Sequence, residues 1–371
     1  MLPKLRGYKP SDVPVEQLTH ILYAFANIDP DTGTVFLSDK WADQEIKYGG
    51  DTDQGPDQLY GNLKQVLLYK QQHRHLKTLL SIGGWSYSSN FKCLSDATKR
   101  ARFAESAVRL LADYGFDGLD VDWEYPESKD QARIYVALLK EVRHGLDAYG
   151  AHTTPDHPHY LLTIAAPCSP AKYRILDIKA MDAYLDYWNL MAYDFSGSWD
   201  SAANHQANLY GTPLSCAASV KYYASNGTHN SKLVLGAPAY GRGFDGTQGP
   251  GHSFTSIPPG SLEHGVFAYW ELPIQGAKEH YDKKAGAAWS YDSANAQLIS
   301  YDSPSAAKAK VEYIAEKGLA GAMLWELAGD QPATNPRSLV SVYTHQLGNL
   351  DTSENHVQYP SSAFANVRNG L

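Results

Sequence analysis

Phe116-Asp117-Gly118-Leu119-Asp120-Val121-Asp122-Trp123-Glu124-Tyr125-Pro126 sets three acids at every second position of an otherwise apolar run. Asp120, Asp122 and Glu124 alternate with Leu119, Val121 and Trp123. In a β-strand alternate side chains share a face, so the three acids line one side and the apolar residues the other. Like charges at that spacing cannot all stay ionised, so at least one pKa must rise. A proton donor beside an anion is what general acid chemistry uses. The plainer alternatives are a calcium loop or a solvated edge, but calcium loops place Gly and Asn between their acids. Asp117 points away from the row and is read as structural.

Further apolar strands are predicted over 20–28, 76–85, 160–167, 187–195, 232–240 and 321–327. Helical patterns fall between them, over 59–73, 96–114, 130–149, 171–185, 215–224 and 305–317, with a last one near 336–346. Ser95 is the expected cap of the second helix and Gly115 its stop. Alternating apolar strands and helices over this length predict a parallel sheet covered on both faces, and a (β/α) barrel rather than a doubly wound sheet. No GxGxxG or GxxxxGK[ST] run follows the first strand, which argues against nucleotide-binding folds. Residues 243–303 break the rhythm with Gly, Pro and short alternating runs. The expected division is a catalytic barrel over 1–242 and 304–350, a small α+β insertion over 243–303, and a polar tail over 351–371.

The chain has 371 residues, 43% of them hydrophobic, enough for one large domain or two ordinary ones. Its 26 Tyr and 8 Trp suit a wet groove for a partly apolar ligand such as a sugar ring, although most serve the core. The net charge of −8 argues against nucleic acid as a partner. Three Cys are too few and too scattered for a disulfide framework or a zinc site. No stretch reaches transmembrane length, and no apolar leader is visible after Met1. The triplet Asn226-Gly227-Thr228 is a glycosylation sequon, a weak pointer to secretion.

The residues that carry chemistry fall at strand C-terminal ends: Trp85, Glu124, Tyr193 with Asp194, Tyr240 with Arg242, and Trp325. Barrel enzymes keep their sites on that face.

These residues carry a resemblance. Residues 116–126 match the DGxDxDxE signature of family 18 glycoside hydrolases, the chitinases. Ser81-Ile82-Gly83-Gly84 resembles that family's SxGG run, Met191-Ala192-Tyr193-Asp194 its MxYD, and residues 236–244 its GxPxYGRxF. Trp325 resembles the Trp that ends strand eight. The likeness spans nearly the whole chain and looks closest to fungal chitinases of the bacterial type. It implies a TIM (β/α)8 barrel with a small α+β insertion between strand 7 and helix 7. The family's first strand should precede residues 7–14, where this chain begins, so a barrel lacking that strand is expected.

Two carboxylates that flank a bond serve most retaining glycosidases, but Asp122 and Glu124 leave one strand on the same side. The resemblance implies that the substrate's own 2-acetamido oxygen is the nucleophile. Glu124 is then acid and base, and Asp122 holds the acetamido N–H and steadies the cation. Asp120 shares a proton with Asp122, and Tyr193 holds the acetamido carbonyl in line. Phe25, Gly84, Trp85, Tyr125, Met191, Asp194, Tyr240, Arg242 and Trp325 are implied to line the groove. Cis peptides are implied at Ala24-Phe25, Glu124-Tyr125 and Trp325-Glu326. The implied partner is chitin or chitooligosaccharides, met outside the cell by a monomer with no membrane attachment, metal or cofactor. A chitin-binding lectin of the same fold and an endo-β-N-acetylglucosaminidase are the alternatives weighed.

Overall fold

The computed structural model describes residues 7–371 except 53, 54, 56 and 154–157. The chain divides into two compact units. The first holds residues 18–165, 174–188 and 350–371; the second holds the described residues up to Gln17, then 166–173 and 189–349.

The first unit is built on β1 (His20–Ile28), β2 (Val35–Leu37), β3 (Lys77–Gly83), β4 (Gly118–Asp122) and most of β5 (Leu161–Pro167). β1, β3, β4 and β5 are joined by parallel registers, among them Tyr23 with Leu80, Leu80 with Leu119 and Leu119 with Leu162. β2 turns back antiparallel along the end of β1. β4 carries Asp120 and Asp122 of the acid row and ends before Glu124. Leu119, Val121 and Trp123 are buried on the helix side, where Trp123 stacks on Phe91 with ring centroids 5.2 Å apart and meets Tyr135 at 5.4 Å. β4 is buried on both faces, as parallel strands between helices are.

The helix Ala97–Tyr114 is capped by Asp96, which accepts from the N–H groups of Thr98 and Lys99; the cap is one residue later than the Ser95 expected. Gly115 ends it at φ +75°, a left-handed conformation that glycine adopts without strain. The helix Lys129–Thr153 runs past the expected 149. The pattern over 171–185 resolves into two short helices, Pro170–Tyr173 and Ile178–Asp182, because Asp177 caps a fresh start on Ala180.

The polar stretch 351–371 is part of this unit's core. Asn355 donates to the carbonyls of Lys70 (2.8 Å), His73 (3.2 Å) and Leu76 (2.6 Å), and its own oxygen accepts from Arg74 Nε at 2.8 Å. Asn366 pairs with both the N–H and the C=O of Leu59, each at 2.9 Å. Tyr359 is buried and donates to the Phe116 carbonyl at 2.9 Å. Asp117 accepts from Thr78 N–H and His356 N–H at 2.7 Å and pairs with the buried Lys70 ammonium at 2.9 Å. Its structural reading holds: it ties β3, β4 and the C-terminal segment together at the strands' N-terminal ends.

The second unit takes most of β6 (Tyr187–Met191), then β7 (Leu233–Pro238), β8 (Tyr240–Asp245), β9 (Val266–Ala268), β10 (Lys278–Asp282), β11 (Ala287–Asp292), β12 (Gln297–Tyr301) and β13 (Gly321–Trp325). β13 pairs parallel with β7, Leu324 opposite Ala237. β8 to β12 make a five-stranded antiparallel sheet in the order β10-β11-β12-β8-β9. That sheet opens at Tyr240, three residues before the expected start of the insertion at 243. Phe244, Leu298 and Ala203 form its core, with Phe254, Ile257 and Trp289 packed against them. Within the first unit the parallel strands follow in the order β5-β4-β3-β1, with β2 at the edge. The expectation about a barrel strand ahead of 7–14 lies outside the described residues.

Candidate active site

In the first unit the acid row leaves the C-terminal end of β4. Register puts Asp120 opposite Ser81 of β3 and Thr163 of β5. Ser81 Oγ donates to Asp120 Oδ2 and Thr163 Oγ1 to Oδ1, both at 2.6 Å. Asp122 is buried, and its Oδ1 has no hydrogen-bond partner among the described residues. Burial first, then the charges of Glu124 and Asp120, push its carboxyl well above the usual range. Glu124 is half-buried, which leaves it reachable from solvent. Its N–H donates to Ser88 Oγ at 2.7 Å, and that hydroxyl donates to the Gly84 carbonyl at 3.0 Å.

The glycine pair makes this packing possible. Gly83 sits at φ +115°, and a Cβ there would lie 2.2 Å from the Asp122 carbonyl oxygen. Gly84 sits at φ +77°, and a Cβ would lie 2.8 Å from the Phe25 ring. Trp85 follows with 75% of its surface exposed, an open aromatic face, while Tyr125 is half-buried. The Ala24–Phe25 and Glu124–Tyr125 peptides are cis, as the family resemblance implied. The row thus offers a buried carboxyl whose pKa is pushed up, at the end of β4, and a reachable one two residues further on.

In the second unit the end of β6 supplies Met191, Tyr193 and Asp194. Asp194 sits at φ +57° and accepts two hydrogen bonds on Oδ1, from Tyr240 OH and Arg242 Nε, both at 2.6 Å. Burial works against the Arg242 charge, but Asp194 more than offsets it, so the guanidinium is held even more firmly protonated than usual. Burial, with Asp194 adding to it, drives the Tyr240 hydroxyl's pKa well up. The Arg242 guanidinium also lies 4.7 Å from the Trp199 ring centre and 5.7 Å from that of Tyr240. Tyr193 meets Tyr240 edge-on at 6.2 Å and lies against Gly236, where a Cβ would be 3.0 Å from its ring. Trp325 ends β13 half-buried, its carbonyl bonded to Ala239 N–H at 2.7 Å, and the Trp325–Glu326 peptide is cis. Burial lifts the Glu326 carboxyl to about 7.

The expected residues therefore fall into two groups. Asp120, Asp122, Glu124, Phe25, Gly84, Trp85 and Tyr125 belong to the first unit, and Met191, Tyr193, Asp194, Tyr240, Arg242 and Trp325 to the second. Sequence reading missed Thr163, Ser88 and Trp199. Trp199, 58% exposed, had one signal: Gly197 two residues earlier, where a Cβ would strike its ring at 2.5 Å. Thr163 had none, since it sits inside an apolar strand.

Residues 4–330 match the family described as Glycosyl hydrolases family 18. The chain belongs to this family. This family 18 chain is 44% identical over 373 aligned residues to Endochitinase 1 of Metarhizium robertsii, covering 98% of this chain and 87% of that one. It is 42% identical over 376 residues to Chitinase 1 of Aphanocladium album, covering 99% and 88%. Among solved structures, the chitinase ChiA74 from Bacillus thuringiensis matches with a TM-score of 0.85 at 30% identity, over 92% of this chain and 67% of that one. The protein is a glycoside hydrolase of the α/β, (β/α)-barrel class.

Proposed function

We propose that this family 18 hydrolase is a chitinase that cuts β-1,4 linkages between N-acetylglucosamine units with retention of configuration. The observation that carries the reading is the buried Asp122, its pKa pushed up by burial and by its acidic neighbours, two residues before the half-exposed Glu124. Two carboxyls that leave one strand end two residues apart stand on the same side of a bound sugar, so neither attacks from behind while the other protonates. The family resemblance implies that the 2-acetamido oxygen of N-acetylglucosamine attacks instead. Glu124 protonates the leaving oxygen and then draws a proton from water. Asp122 binds the acetamido N–H and steadies the oxazolinium cation, and Asp120 shares its proton. Tyr193 donates to the acetamido carbonyl and holds it in line for attack.

Phe25, Gly84, Trp85, Tyr125, Met191, Asp194, Tyr240, Arg242 and Trp325 are assigned to the sugar-binding groove. Support comes from the exposed Trp85 face and from the chitinase names of the relatives. In this reading the barrel residues 1–242 and 304–350 are catalytic and 243–303 form an inserted unit. The enzyme works outside the cell as a monomer on chitin or chitooligosaccharides, as the family resemblance implies. The test is Glu124→Gln with a chitin tetramer. Turnover should vanish while the variant still binds the oligomer, and hydrolysis at the parent's rate would reject the assignment.

A further inference from the structure

Asp120 is the innermost acid of the row and is buried. The register places Ser81, Asp120 and Thr163 at one level across three adjacent parallel strands. Each carboxylate oxygen of Asp120 takes one hydroxyl, Ser81 on Oδ2 and Thr163 on Oδ1, both at 2.6 Å. All three side chains are buried. Two donors on two oxygens suit the anion, because hydrogen bonds to a charged acceptor favour the charged form. Ser81 belongs to a run already read as a motif; Thr163 belongs to none. A β-branched side chain has few χ1 choices, so Thr163 presents its hydroxyl with little rotamer freedom.

We propose that Thr163 is a positioning residue of the hydrolysis: with Ser81 it holds Asp120 as an anion, so that the proton the two aspartates share rests on Asp122. The inference rests on the proposed chitinase reading for its link to turnover, but its structural part stands without substrate. Asp122 is the group that must meet the acetamido N–H, and its protonation is set by what Asp120 is allowed to do. Among the described residues the charged and titratable neighbours include Asp122 on β4, Glu124 just beyond its end and Tyr135 from the helix Lys129–Thr153. β3 and β5 contribute the hydroxyls of Ser81 and Thr163 at this level. Tyr135 donates to the Val121 carbonyl at 2.9 Å, and burial, with the charges of Asp120 and Asp122 behind it, keeps its hydroxyl protonated.

The test compares Thr163→Val, which removes the hydroxyl at nearly constant shape, with Thr163→Ser, which keeps it. Both are assayed for cleavage of a chitin tetramer across pH, and their aspartate carboxyls are titrated by carbon-13 NMR without substrate. Losing one donor makes the Asp120 anion less favourable, so the pair binds its protons more tightly. Thr163→Val should lower kcat roughly tenfold with KM within about twofold, and move the acidic limb of the pH profile up by about one unit. The carboxyl titration should move the same way, and Thr163→Ser should recover both. If the Val variant does not fold, Thr163→Ala is read in the same way. A Val variant with the parent's kcat, limb and carboxyl titration overturns the proposal, and so does a Ser variant as impaired as Val. Failure of the parent itself to cleave the tetramer would reject the chitinase reading, and the NMR titration would still decide the role of Thr163.

Discussion

Asp194 joins Tyr240 and Arg242 through one oxygen, and replacing it with alanine tests whether this cluster binds sugar or takes part in the chemistry. Its Oδ1 accepts from Tyr240 OH and Arg242 Nε at 2.6 Å each. A buried hydrogen bond to a charged group contributes about 1.5–3 kcal/mol. Here water screens the pair, since the Asp194 side chain is 40% exposed and that of Arg242 is 15%. The low end applies, and Asp194→Ala should lower stability by about 2 kcal/mol. Arg242 keeps its stacking on Trp199 and Tyr240, worth about 1 kcal/mol, so it is loosened rather than released. If oligosaccharide binding needs the guanidinium and the Trp199 ring in place, losing about 1.4 kcal/mol of their ordering raises KM about tenfold. The assay is Michaelis kinetics on chitin oligomers of increasing length, beside a thermal melt. Unchanged KM and unchanged melting would show that Asp194 orders nothing that substrate uses. A hundredfold loss of kcat at constant KM would place Asp194 in the chemistry and refute the binding assignment.

Two further outcomes follow from the first unit. The folded pKa of Asp122 is raised by burial and by its acidic neighbours, so its contribution to stability is full below the unfolded value of about 3.9 and is lost as pH rises through the folded value. Asp122→Asn should therefore abolish turnover yet melt at a higher temperature than the parent near neutrality. That advantage should shrink towards zero below pH 4, and a difference that stays flat with pH would contradict the argument. Asn355→Ala removes the donor from three carbonyls near the strands' N-terminal ends. The His73 carbonyl keeps the Leu76 N–H at 2.8 Å, so two acceptors are stranded and, at about 1 kcal/mol each, the loss is about 2 kcal/mol. For 371 residues that is roughly 3 °C in Tm, with kcat on a chitin oligomer unchanged at 25 °C. An unchanged melting temperature would show that the C-terminal segment does not brace the unit.

Much of the site was legible because its signals are local. Alternation with a period of two put Asp120, Asp122 and Glu124 in one row; β4 carries Asp120 and Asp122 and ends before Glu124. Gly115 announced a helix end, and it sits in the left-handed conformation. The Asp96 cap was missed by one residue because Ser95 and Asp96 are both good caps, and the side chain that reaches the free N–H groups is chosen by backbone direction. The helix over 171–185 was overextended because periodicity alone cannot see Asp177 drawing the chain into a new start.

From the residues alone came the strand that bears the acids, the ladder of βα elements, and the aromatic and charged groups at strand ends. Each is a matter of neighbours along the chain, which a period or a cap reports directly. Tertiary structure decided which oxygen of Asp120 meets Thr163, that Asp194 ties Arg242 to Tyr240, that Trp199 backs the guanidinium, and that the polar stretch 351–371 is braced into the core through Asn355, Tyr359 and Asn366. Those partners lie tens to hundreds of residues apart. Only strand register and packing bring a donor to an acceptor over such distances, and an isolated Thr, Trp or Asn carries no mark of the partner it will meet.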